Sequence, residues 1–143
     1  MEDGYVKTWP RLLLRLEGAC LFGSTIWAYS RFGQSWWTFA ALILVPDLGM
    51  VGYLANTSAG AVVYNSFHTE TPAILLLCGA LARSNKTFAG LALCWLGHIG
   101  MDRMLGYGLK YGTAFGHTHL GSFSLLDNTR NTGNTDGDAS ESL

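Results

Sequence analysis

Apolar residues fall in four long runs, residues 12–32, 36–55, 60–82 and 87–107, separated by short polar breaks. Each run is about 20 residues long, the length of a helix that crosses roughly 30 Å of hydrocarbon. The breaks are Gly33-Gln34-Ser35, the stretch 56–59 and the polar hairpin RSNK at 83–86. Connections this short make neighbouring helices alternate in direction. Pro10 suits the start of the first helix, and the pair Trp36-Trp37 opens the second in the manner of an interfacial anchor. Pro46 and Pro72 predict kinks in the second and third.

None of the runs carries the continuous charged stripe of a water-facing helix, which argues against a soluble four-helix bundle. The pattern predicts an all-α fold, a four-transmembrane-helix up-down bundle over residues 12–121. A polar lead-in (1–11) precedes it. A polar tail (122–143) follows, composed from Asp127 onward almost wholly of Asn, Thr, Gly, Asp and Ser, and expected to be disordered.

Composition agrees with that reading. Of 143 residues, 49% are hydrophobic and 13% charged, about half the charge of an average soluble protein. A net charge of −1 gives no basic field for nucleic acid. Cys20, Cys78 and Cys94 lie in apolar runs without a CxxC pair, so three reduced, buried thiols are expected. The start, MEDGYVKTWPRLLLRLE, mixes acids and bases and lacks a clean leader, so the first run is expected to remain as a helix. Lys7, Arg11, Arg15, Arg103 and Lys110 fall on one side, and Arg31, Arg83 and Lys86 on the other, a bias that puts both termini in the cytosol. The sequons at Asn56 and Asn85 sit in turns tight against the membrane, an unfavourable place for glycosylation.

Several ionisable residues interrupt the apolar runs. With alternating helix direction, Glu17, Asp47, His68, His98 and Asp102 all come to the same end of the bundle, and the HTHLG stretch at 117–121 emerges there too. An ionised residue at mid-span costs about 2.5–3.5 kcal/mol, so Glu17, Asp47, Asp102 and Arg103 left unpaired would cost on the order of 10 kcal/mol. A polar cavity open to one face is the arrangement that offsets such a cost. Arg15 is placed to snorkel, and Glu17 and Arg103 are expected to pair between helices.

His98 and Asp102 are four apart and share one helical face. Imidazole shuttles protons near neutral pH, and a carboxylate can orient its ring. Asp47, His68, His98 and Asp102 are therefore the candidate catalytic residues. Tyr64, Asn65, Arg103 and His119 are candidates for substrate binding. Asp47, His68, His98, Asp102 and His119 also have the ligand types of a divalent-metal site. No HExxH-type motif accompanies them, and metal-free acid–base chemistry stands beside the metal reading. The glycines of GHIGMDRMLGYG are expected to be close-packing positions.

The stretches RLLLRLEG, LVPDLGMVGYL, YNSFHT, WLGHIGMDRMLGYGLKY and THLG together resemble the DUF4260 family of small integral membrane proteins, from residue 12 to 121. The resemblance implies four helices and puts Glu17, Asp47, His68, His98, Asp102, Arg103 and His119 on the family's characteristic positions. His117 departs from that pattern, and the tail lies outside it. The family faintly resembles membrane-bound metal-dependent hydrolases, which also place His and Asp at helix ends; this is analogy alone.

The expected function is an integral-membrane hydrolase or cyclase. It would act on a lipophilic small molecule from the bilayer by acid–base or metal-assisted chemistry, epoxide opening in a biosynthetic pathway being one such reaction. A non-enzymatic membrane carrier or assembly partner is the alternative.

Overall fold

The computed structural model describes residues 8–32, 34–112 and 117–122. The expected lead-in up to residue 7 and the tail beyond residue 122 lie outside the described residues, as does the side chain of His117. The described part is all-helical apart from one very small hairpin. Its elements are α1 (Thr8–Arg31), α2 (Trp36–Leu42), a 3₁₀ helix (Val45–Leu54), α3 (Thr57–His68), α4 (Glu70–Ala82) and α5 (Lys86–Leu105). The hairpin pairs β1 (His117–Thr118) with β2 (Gly121–Ser122).

Two of the four apolar runs are broken helices. The second stops being α-helical at Ile43-Leu44 and continues as the 3₁₀ helix, with Pro46 in its first turn. A proline there cannot donate to the preceding turn, so the chain tightens to i→i+3 bonding, as in Asp47 N–H to the Leu44 carbonyl at 3.2 Å. The third run breaks at Thr69, whose backbone is extended. The kink expected at Pro72 is not what divides it. Pro72 sits in the first turn of α4, where its missing N–H has no intrahelical role.

α5 is the central helix. Gln34 donates to the Lys86 carbonyl at its start, and Arg15 Nε donates to the Met104 carbonyl at its end, 2.9 Å away. These bonds place α1 antiparallel to α5. The bond from Arg15 puts a cation on a free carbonyl at a helix C-terminus. On the other side α4 returns along α5 through the Ser84-Asn85 turn, with the Asn85 N–H bonded to the Ala80 carbonyl. The 3₁₀ helix lies against α3, Gly49 facing Phe67 and Gly52 facing Val63. The four segments therefore alternate in direction, as the short connections require.

The α1–α5 seam depends on small residues. A Cβ on Gly18 would lie 2.6 Å from the Met104 nitrogen, and one on Gly100 would lie 2.7 Å from the Phe22 nitrogen. Gly106 is different: it caps α5 with φ +96°, a left-handed residue rather than a packing one. Asn56 and Asn85 are N-caps, their side chains accepting from Ala59 N–H at 2.8 Å and Phe88 N–H at 3.1 Å.

The buried face of α5 is largely Ala, Gly, Cys and His, whereas Leu13, Leu16, Trp27, Trp37, Leu54 and Leu75 are exposed. A compact apolar core of Tyr29, Phe39, Leu93 and Cys94 joins α1, α2 and α5. Cys94 is buried as expected, but Cys20 and Cys78 are exposed; all three are free. Among the described residues, one stretch is long and apolar enough to cross a membrane, Trp36–Leu54, with 22% of it buried in the fold.

Candidate functional site

Four side chains from three elements meet beside α5. His98 and Asp102 project from one face of that helix. His68 is the last residue of α3, delivered by the break at Thr69. Asp47 lies in the first turn of the 3₁₀ helix, set there by the break before Pro46. One nitrogen or oxygen from each lies within 4.8 Å of all the others, and among the described residues these four are the group able to hold one ion.

The internal separations are short. His68 Nε2 lies 3.0 Å from His98 Nε2. Asp47 Oδ1 is 3.5 Å from each imidazole Nε2. Asp102 Oδ2 is 3.5 Å from His68 and 3.6 Å from His98. His98 is fully buried, while Asp102 is 15% and Asp47 35% exposed. Asp47 is thus the most exposed of the four.

Tyr64, one turn before His68, braces two members. Its carbonyl lies 2.9 Å from His68 Nδ1. A carbonyl only accepts, so Nδ1 carries the proton and Nε2 presents a lone pair to the cluster. The Tyr64 hydroxyl donates to Asp102 Oδ2 at 3.2 Å, and the Tyr64 ring stacks on that of His68 with centroids 3.6 Å apart. His98 Nδ1 is buried with no hydrogen-bond partner among the described residues.

The other candidates surround this group without joining it. Arg103 pairs with Glu70 at the start of α4. This corrects the expected pair with Glu17, which is exposed on α1. Glu17 and Glu70 lie at the same end of the bundle, and packing against α4 decides between them. Asn65 clamps the backbone of Lys110, donating to its carbonyl at 2.9 Å and accepting from its N–H at 2.7 Å. The clamp lays the 106–112 loop over the site and sets Lys110 Nζ above the Tyr64 ring, 4.3 Å from its centroid.

His119 is not among the metal-ligand group, contrary to its candidacy. Its Nδ1 accepts the Leu109 N–H at 2.9 Å, and its own N–H donates to the Leu109 carbonyl. It fastens the hairpin to the loop, and burial pushes its pKa below the ordinary histidine value. Tyr64 as a brace, Glu70 as the partner of Arg103 and Lys110 as the overlying cation were not singled out for these roles by sequence reasoning. The spacing of Tyr64 and His68 was the one signal for any of them.

One cavity adjoins the cluster, and a second is lined by residues next to it in the chain. The first, of about 10 Å³, is lined by Tyr64, His68, Asp102, Arg103 and the 107–109 loop, which is room for a single water. The second, of about 150 Å³, is apolar, lined by Leu42, Val45, Pro46, Phe67, Leu91, Cys94 and Trp95. Pro46 and Phe67, in its lining, immediately precede Asp47 and His68 in the chain.

No curated protein and no solved structure matches the chain. The model of the family described as "Domain of unknown function (DUF4260)" matches residues 11–123, from the start of α1 to just past the hairpin. That span holds all four converging side chains, and the chain belongs to the DUF4260 family.

Proposed function

We propose that the chain is an integral, multi-pass membrane hydrolase acting on a lipophilic small molecule. The observation that carries this reading is the convergence of two histidines and two aspartates beside a water-sized cavity, with an apolar cavity lined by the residues that precede Asp47 and His68. Water and a greasy substrate would approach the same side chains. The exposed Leu and Trp residues on the outer faces support residence in lipid; in this reading all four segments cross and both termini are in the cytosol.

Roles follow from how firmly each member is held. His68 and Asp102 are fixed by Tyr64, and His98 by complete burial. These three hold water and the charge that develops on it. Asp47, the most exposed member, moves the proton. It takes one from water as the oxygen attacks and returns it to the oxygen that departs. The same sequence opens an ester, a lactone or an epoxide. Asn65 and Lys110 close the polar side.

Purified protein in lipid nanodiscs, offered long-chain chromogenic esters, lactones and alkyl epoxides, tests this. Turnover should appear with at least one class and fall about 10²–10⁴-fold in Asp47→Asn, with insertion unchanged. Hydrolysis of none of them, or full turnover in Asp47→Asn, contradicts it.

A further inference from the structure

We propose that His68, His98 and Asp102 are the fixed ligands of a divalent zinc-class metal, with Asp47 as a fourth ligand that yields its position to water. The inference deepens the hydrolase reading, but its test does not depend on turnover.

Geometry carries it first. Zinc bonds of about 2.0–2.2 Å in a tetrahedron set ligand atoms about 3.3–3.6 Å apart. Four of the five separations that link the imidazole nitrogens to one another and to the carboxylates are 3.5–3.6 Å, and the fifth is 3.0 Å. The converging atoms thus outline the corners around one ion.

Charge and lone pairs point the same way. His68 Nε2 is an acceptor, because the ring's proton is on Nδ1, where it is donated to the Tyr64 carbonyl. It faces two carboxylate oxygens that are acceptors as well. Two carboxylates within 4.8 Å of each other repel when both are ionised, and a dication between them removes that repulsion. Two imidazoles favour zinc or a neighbouring first-row metal over magnesium or calcium.

The supporting shell of His68 and Asp102 is also that of a metal site. A ligand imidazole commonly donates its other nitrogen to a carbonyl, as His68 does, and a ligand carboxylate is itself hydrogen-bonded, as Asp102 is by the Tyr64 hydroxyl. Asp47 is 35% exposed, so it is the member that can swing away and leave a position for water. Two histidines and one carboxylate with an open fourth position is a catalytic rather than a structural arrangement.

The test is zinc binding by full-length, chelator-stripped protein in detergent, followed by calorimetry and elemental analysis, with circular dichroism to verify folding. The wild type should take up one zinc per chain. His98→Ala and the near-isosteric Asp102→Asn should each weaken binding at least 100-fold, and Asp47→Asn by no more than about tenfold. Cys20→Ser/Cys78→Ser should bind as wild type does, which separates the site from adventitious thiol binding. Absence of zinc in the wild type, unchanged affinity in a folded Asp102→Asn protein, or loss of zinc with the cysteines would overturn the proposal. Turnover by zinc-free protein would overturn it too, while leaving the hydrolase reading standing.

Discussion

The Nε2 atoms of His68 and His98 face each other at 3.0 Å across the α3–α5 interface. The Tyr64 carbonyl fixes the tautomer of the first ring, and burial holds the second in place. Two imidazoles aimed at one point, with a carboxylate on either side, are a costly arrangement inside an apolar bundle. The remaining contacts of the site keep that arrangement from relaxing.

Tyr64→Phe isolates one of those contacts. It removes the donor to Asp102 but leaves the carbonyl on His68 and the stacked ring. Turnover in nanodiscs should drop about tenfold, in line with loss of an outer-shell bond. Thermal stability should fall by no more than about 1.5 kcal/mol.

Asn65→Ala tests the clamp on the loop. Both bonds to Lys110 disappear, a loss of about 1–3 kcal/mol. The loosening should be local. Hydrogen exchange at the Lys110 amide should accelerate, while α5 amides such as those of Leu93 and Cys94 keep their protection.

How much of this was legible in the sequence follows from what each feature depends on. His98 and Asp102 were readable because helical spacing alone puts them on one face. Asp47 and His68 followed from alternating helix direction. The break at Thr69 was not readable: Pro72 drew attention to the wrong residue, and a proline in a first turn does not disturb a helix. Glu17 was favoured for Arg103 because one-dimensional depth cannot separate it from Glu70. Asn56 and Asn85 read as sequons in turns, although Asn ahead of an apolar run is also a capping signal. Exposure of Cys20 and Cys78 depends on which faces the helices leave uncovered, and runs with no polar stripe do not encode that.

The α1–α5 seam gives a paired stability prediction. Gly100→Ala puts a Cβ 2.7 Å from the Phe22 backbone and should destabilise by about 1–3 kcal/mol. Gly79→Ala meets nothing within 4 Å and should stabilise α4 by about 0.5–1 kcal/mol. Unfolding in mixed micelles with increasing SDS should move the two variants in opposite directions.

His119 gives a pH prediction. Burial lowers its pKa in the folded chain, so between the folded value and the ordinary one near 6.5 the unfolded chain binds more protons. Its contribution to stability is present above the ordinary value and is lost as pH falls through the lowered one. Protonation also ends acceptance from Leu109 N–H. Wild type should lose thermal stability below about pH 6.5 more steeply than His119→Gln does; parallel curves would remove the residue from that role.

The central claim is that side chains from three separate elements act as one hydrolytic centre. Its most direct test is turnover of the single variants Asp47→Asn and His98→Ala and of the double variant, all in nanodiscs on the same lipophilic substrate. Groups that act as a unit are non-additive, so each single variant should lose about 100-fold or more and the double variant should be no slower than the worse of the two. Losses that multiply, or near-wild-type turnover in either single variant, would contradict the account.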